Sequence, residues 1–292
     1  MLASLVADFP LLLVAVTAVL YTVGERRVAG LRGTRAGALR RAHLRAASFY
    51  TGLATIVIAL VGPIDSNASK LFWVHMVQHV LLLTVAAPLI AMGAPWMSIW
   101  RPLPLGFRRG AAGAVARDRW ARPLRAVGRT LGRPRGAWLA FNINLVVWHI
   151  PVLYDLTLRH LAIHALEHTT FLLLGVLLWC QVIESPPLRA RLRPDLRVYY
   201  MVATGTVSWI LSLVLAFAPS PLYPVYAHIA DRPGGISALA DQQIAGGVML
   251  GPGSVSITLF VFIGLYRWLG SDGESSEGQA WRRHSATGGA GP

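Results

Sequence analysis

The sequence predicts an all-α fold, a polytopic membrane helical bundle with seven transmembrane helices. Of the 292 residues 54% are hydrophobic and only 14% are charged, whereas a soluble domain carries about 25% charged residues. The apolar residues form long runs, and a helix needs about 20 apolar residues to cross the hydrocarbon core of a bilayer. Because that core cannot hydrate an open backbone, each run is expected to be helical.

The apolar runs follow one another along the chain and are joined by polar or basic links. They are Leu2–Gly24, Ala46–Ile64, Leu71–Gly93, Ala137–Leu156, Leu161–Ile183, Val198–Ala218 and about Ala245–Leu269. Residues 1–269 are therefore predicted to form one membrane domain surrounded by the lipid bilayer. Residues 270–292 are rich in Gly, Ser and charge, and we expect them to be a disordered cytoplasmic tail.

Loop charges predict the orientation of the bundle. The links after the first, third and fifth runs are rich in arginine, whereas those after the second, fourth and sixth carry few basic residues. By the positive-inside rule, the amino terminus is outside and the carboxyl terminus is in the cytoplasm. The arginines that give the net charge of +14 lie mostly in these loops, where they serve to orient the protein in the membrane. We therefore expect no nucleic-acid partner.

Histidines are concentrated where the predicted helices meet the outer face. Ionisable residues inside a membrane are costly and are candidate functional groups. His75 and His79 share one helix face because they are four residues apart. His160, His164 and His168 repeat at the same interval near the start of the fifth helix.

Depth along each helix separates these residues into two predicted layers. At about 1.5 Å per helical residue, the three histidines His79, His149 and His168 are expected at one depth. His75, His164 and Asp241 are expected nearer to water. Three helices would thus contribute histidines to one deep site.

Such a cluster is typical of a metal site. Imidazole ligates Cu, Zn, Fe and Ni, and thioether sulfur favours Cu(I). The candidate metal ligands are His75, His79, His149, His160, His164, His168, Asp241, Met76 and Met249. Glu167 and Asp241 could instead orient an imidazole as hydrogen-bond acceptors. Each histidine taken alone is equally compatible with interhelical hydrogen bonding, and Met249 with ordinary packing.

Three other functions are compatible with intramembrane histidines. A heme-binding electron-transfer protein would use paired histidines, but on facing helices rather than crowded on one surface. A metal or proton transporter would need ionisable groups in the inner halves of the helices, where the sequence has almost none. A zinc enzyme would suit a histidine and carboxylate set, but the sequence offers no clear general base.

Four motifs in order carry a resemblance to a known family. They are His75–His79 (HMVQH) with Ala87–Leu89 and Gly93–Pro95, Trp148–Pro151 (WHIP), His164 with Glu167–His168, and Asp241–Gln243 (DQQ) with Gly246 and Met249. From about residue 50 to 268 the chain resembles the CtaG family, bacterial assembly factors for caa-type cytochrome c oxidase.

The resemblance implies a non-enzymatic role in oxidase maturation, with copper, as Cu(I), supplied to the oxidase. Cytochrome c oxidase subunits are then the expected partners, and the bacterial inner membrane is the expected location. Which copper centre of the oxidase is served, and whether the chain forms a homo-oligomer, both stay open.

Overall fold

The computed structural model describes residues 2–29, 36–229 and 231–266, so the predicted tail at 270–292 lies outside the described residues. The described residues form helices, and an isolated bridge joins Ser185 to Leu188. The helices are α1 (Leu2–Ala29), α2 (Ala36–Leu60), α3 (Pro63–Ala68), α4 (Phe72–Gly93), α5 (Trp96–Trp100), α6 (Leu105–Arg117), α7 (Arg122–Leu131), α8 (Pro134–Trp148), α9 (Pro151–Arg159), α10 (Leu161–Trp179), α11 (Pro194–Phe217), α12 (Pro224–Ala227) and α13 (Ala238–Tyr266).

Several of these helices are able to cross a membrane. Within the described residues, α2, α4, α10, α11 and α13 are long and apolar enough, and the bent pair α8 and α9 would make a sixth span. The chain is therefore an all-helical, multi-pass membrane protein. The count of seven spans stays a prediction. The helix α1, 28 residues long, covers the first predicted run.

The helix α4 lies at the centre of the bundle. Half of its span is buried, a larger share than in the other candidate spans of the described chain. The first half of α4 packs against α13, and its second half packs against α2 and α10. Another candidate span, α11, packs against α13 and α8. This arrangement places both ends of α4 among loops from distant parts of the sequence.

A π-helical segment, Leu81–Ala86, interrupts α4 directly after its histidines. Pro88 has no N–H to donate to the Thr84 carbonyl, and the Ser256 hydroxyl donates to that carbonyl instead. The indole N–H of Trp179 donates to a second carbonyl of the segment. Side chains from α10 and α13 thus satisfy backbone groups that a regular helix would bond internally.

The fourth apolar run is not one continuous helix, in contrast to the prediction. The axes of α8 and α9 are bent by 76°. Pro151 disfavours helical dihedral angles at the preceding residue, and Ile150 is extended, with φ −68° and ψ 123°. His149 is the first residue after α8 and lies in this break. The bend therefore turns the chain at a predicted metal ligand.

Loops that are distant in the sequence contact each other at both ends of the bundle. At one end the Tyr226 hydroxyl, from the loop after α11, donates to the Ala68 carbonyl at the end of α3. At the other end Arg27, at the end of α1, donates to the Arg101 carbonyl after α5. Which of the two ends faces the cytoplasm stays a prediction.

Candidate metal centre

Three histidines and one glutamate meet in the interior of the bundle. His75 and His79 come from α4, and Glu167 and His168 come from α10. One potential ligand atom from each of the four residues lies within 4.8 Å of the other three, and all four side chains are buried. We call these four residues the metal group.

The donor atoms of the metal group face one another. The Nε2 atoms of His75 and His79 are 3.1 Å apart. Each of these nitrogens is also 3.5 Å from one carboxylate oxygen of Glu167. The ring of His168 has its centroid 5.5 Å from that of His75 and 5.2 Å from that of His79. Because ligands lie about 2.0–2.1 Å from a zinc-sized ion, donors roughly 3 Å apart fit around a single ion.

Several of these donors lack partners. The Nε2 atoms of His75 and His79 form a hydrogen bond with each other. Within the described chain, no hydrogen bond is made by Nε2 of His168 or by either carboxylate oxygen of Glu167, although all three atoms are buried. An unsatisfied buried polar atom costs about 1–3 kcal/mol, so several of them together need an explanation. A bound cation would satisfy the lone pairs and would also neutralise the buried carboxylate.

His149 lies beside the metal group with a ligand nitrogen available. Its Nδ1 is 2.7 Å from the Leu145 carbonyl oxygen. Because a carbonyl oxygen only accepts, Nδ1 carries the proton, and the lone pair of the neutral ring is on Nε2. That Nε2 is buried and has no hydrogen-bond partner among the described residues. The ring centroid lies 6.3 Å from that of His79, so His149 is adjacent to the metal group and outside it.

His164 lies against the same cluster, whereas His160 does not. The ring centroid of His164 is 4.2 Å from that of His168 and 5.0 Å from that of His75. His160 is exposed at the start of α10 and does not belong to the metal group.

The metal group takes His75 from the predicted shallow layer and His79 and His168 from the deep one, and it leaves out His149. The arrangement of the histidines in two layers stays a prediction.

Asp241 has a different set of partners. Its carboxylate accepts hydrogen bonds from the backbone N–H groups of Phe72 and Trp73, each at 3.0 Å. The same carboxylate lies 3.3 Å from the Arg232 guanidinium. Asp241 therefore fixes the first turn of α4, the helix that carries His75 and His79, and the metal group does not include it.

The two methionines lie in a neighbouring apolar cluster. Met76 and Met249 are both buried there, together with Phe72, Tyr154 and other aromatic residues. Tyr154 borders the metal group, since its ring centroid lies 5.1 Å from that of His75. On another side of the group the Phe171 ring packs on His79 at 4.5 Å. These rings occupy the space beside the imidazoles, which disfavours a porphyrin there.

Sequence reasoning underestimated Glu167. It was expected to orient an imidazole, and the structure places its carboxylate between the two α4 histidines. The available signal was its position three residues after His164 and directly before His168, in a run where a carboxylate is costly.

The fold and the metal group define a class: an all-helical, multi-pass membrane protein with a buried site of histidine and carboxylate donors. The chain belongs to the family described as Cytochrome c oxidase caa3 assembly factor (Caa3_CtaG), whose family model matches residues 19–271. This confirms the family expected from the four motifs.

More distant relatives were found in two mycobacteria. The chain is 23% identical over 228 residues to an uncharacterized protein of Mycobacterium bovis and, to the same extent, to one of Mycobacterium tuberculosis. The match covers 78% of this chain and 34% of each relative, so the chain spans about a third of their length. No solved structure is significantly similar to the chain.

Proposed function

We propose that this protein binds copper at the metal group and supplies it to a caa3-type cytochrome c oxidase during assembly. Oxidase subunits are then its partners, and the bacterial inner membrane is its location. Family membership supports the role in oxidase assembly. The observation that carries the copper proposal is the metal group itself, in which three imidazoles and a carboxylate lie within 4.8 Å of one another.

The chemistry of the donors supports copper as the cargo. Imidazole is a good ligand for copper in both oxidation states, and copper binds a given nitrogen and oxygen site more tightly than the other divalent first-row metals. The site contains no thiolate within the described chain, where the single cysteine, Cys180, is buried elsewhere. A set of imidazoles releases copper more readily than a closed thiolate cage, as delivery to an acceptor requires.

The oxidation state of the cargo depends on which neighbours complete the site. Glu167 is a hard oxygen donor, and mixed nitrogen and oxygen donors suit Cu(II). Met76 and Met249, in the adjoining cluster, are soft donors and would favour the predicted Cu(I). Electron paramagnetic resonance separates the two, because only Cu(II) gives a signal.

A deletion strain with no second member of the family tests the proposed function. We expect its caa3-type oxidase to keep its subunits and heme but to lose copper and activity, with partial recovery in medium supplemented with copper. Metal and heme contents of the purified oxidase are the measurements.

Complementation then connects the phenotype to the metal group. The wild-type gene and a His228→Ala variant should restore oxidase copper, because His228 is exposed and bonds only the Pro224 carbonyl among the described residues. His79→Ala should not restore it. An oxidase with full copper content in the deletion strain would reject the proposal.

A further inference from the structure

A second candidate site lies at the other end of the bundle. An open cavity of about 400 Å³ is lined by the end of α1, the start of α2, the turn after α4, α5 and the loop after α10. Gly93, in its wall, follows His79 by 14 residues along α4, roughly 20 Å of helix. The volume lies within the range of about 300–1,000 Å³ that is usual for small-molecule sites.

The cavity is lined by positive charge. Arg41 and Arg45, on successive turns of α2, and Arg101, after α5, all line it. The side chains of Arg41 and Arg45 are exposed, and that of Arg101 is half-buried. Glu25 also lines the cavity and accepts a hydrogen bond from Ser98. Three arginines and one glutamate leave a net charge of +2 around the cavity, which attracts an anion.

The depth of the arginines matches that of lipid phosphates. Arg45 directly precedes the apolar run that begins at Ala46, and Arg41 lies one turn, roughly 6 Å, further from it. A bilayer of about 40–45 Å with a core of about 30 Å leaves roughly 5–7 Å of headgroup on each side. With the boundary of the bilayer core at the start of this predicted run, both guanidinium groups are expected at the level of the headgroups. Their planar, forked donors match phosphate oxygens.

Part of the cavity wall is the turn that ends α4. Ala94, in the turn after α4, has φ 47° and ψ 55°. Helices commonly end on a residue in this left-handed conformation, so the turn is an ordinary helix terminus that forms part of the cavity wall.

We propose that this cavity binds a phosphate-bearing anion between the guanidinium groups of Arg41, Arg45 and Arg101. By the predicted orientation it opens in the cytoplasmic headgroup layer, where basic pockets between helices bind anionic lipids. The phosphate would come either from an anionic phospholipid or from a soluble phosphate. The proposal is independent of the copper site.

The test compares two pairs of substitutions with equal loss of charge in the full-length protein. R41Q/R45Q changes the cavity, and R40Q/R109Q removes two arginines that are also exposed but do not line it. Phosphatidylglycerol and phosphatidylcholine retained by the protein are measured by native mass spectrometry, and binding of inorganic phosphate by calorimetry. Because each cavity arginine would lose its charge-assisted hydrogen bonds to the phosphate, R41Q/R45Q should weaken binding by at least about tenfold. R40Q/R109Q should change it little.

Filling the cavity without changing charge separates a built site from diffuse attraction. Ala42→Phe, on the lining face of α2, should also weaken binding. If R41Q/R45Q loses bound phosphatidylglycerol but binds inorganic phosphate as the wild type does, the phosphate comes from a lipid. If the variant also loses binding of inorganic phosphate, the source is a soluble phosphate. Equal effects of both double variants, no effect of Ala42→Phe, or retention of phosphatidylcholine equal to that of phosphatidylglycerol would overturn the proposal. Thermal melts confirm that each variant is folded.

Discussion

At the scale of single residues, the metal group joins two histidines that bond each other to a histidine and a glutamate whose facing atoms lack partners among the described residues. His168 and Glu167 come from one turn of α10, and neither forms a hydrogen bond through the atoms that face the two α4 histidines, among the described residues. A buried carboxylate is stable when a positive charge or strong donors compensate it. In the part of the chain that is described, no lysine or arginine pairs with Glu167. A metal cation would supply that charge.

Removing the carboxylate charge without changing its shape tests this interpretation. Glu167→Gln should weaken Cu(II) binding by at least about tenfold, because the site loses a charged donor and not merely an outer partner. Glu184→Gln is the matched control, since Glu184 is largely exposed and pairs with Arg197. Cu(II) affinity is measured by competition with a chelator. Equal affinities for Glu167→Gln and the wild type would show that Glu167 is not a ligand.

Acidification should release the metal. Histidine ligates only in its neutral form, so protonation competes with metal binding. Retained copper is expected to fall progressively below about pH 6 and to return on neutralisation. Copper content after desalting at a series of pH values gives the profile, with a melt at each pH to exclude unfolding. A pH-independent content would contradict histidine ligation.

At the scale of helices, the apolar runs predicted where the chain crosses the bundle but not how each helix is interrupted. Four candidate spans, α4, α10, α11 and α13, each share one end, within three residues, with a predicted apolar run. The agreement arises because the length of the apolar segment determines both the predicted run and the helix. The π-helical segment of α4 was not predictable, since its carbonyls are satisfied by Trp179 and Ser256 from distant helices. Pro151 was a local indication of the bend at His149. The prediction nevertheless treated Ala137–Leu156 as one helix because the apolar run is long enough to cross a bilayer.

Asp241 illustrates a tertiary role that spacing could not reveal. The sequence placed it with the metal ligands, and the structure pairs it with the first turn of α4. Asp241→Asn should therefore lower the free energy of unfolding by about 1–3 kcal/mol, because a buried charged acceptor is lost. Copper stoichiometry should be unchanged. Asp231→Asn, at an exposed aspartate in the loop before α13, should change neither the free energy of unfolding nor the copper stoichiometry. Loss of copper from folded Asp241→Asn protein would restore Asp241 to the ligand set.

At the scale of the whole molecule, the site and the cavity mark the two ends of one bundle. The sequence predicted that the histidines lie together. Four-residue spacing and similar depth can be read from each helix separately, without knowing how the helices pack. It could not predict which of them share one ion, since that depends on how α4 and α10 pack. The orientation relative to the membrane follows from loop charge alone and is directly testable.

Cysteine labelling tests the orientation. In a Cys180→Ala background, Ser66→Cys in α3 and Gly110→Cys in α6 each introduce one exposed cysteine. Ser66→Cys should react with an impermeant reagent in intact cells, and Gly110→Cys should react only after lysis. Labelling of Gly110→Cys in intact cells would place the metal group at the cytoplasmic end, and would reverse the assignment of the cavity.

Copper binding by purified full-length protein tests the central claim most directly. A competition titration with a copper chelator is made under reducing and oxidising conditions for the wild type, His79→Ala, His168→Ala and the exposed control His228→Ala. We predict stoichiometric binding by the wild type and by His228→Ala, and loss of most bound copper in the other two, with melts showing that all four are folded. Full binding by folded His79→Ala and His168→Ala would contradict the account, because it would leave these buried histidines with a purely structural role.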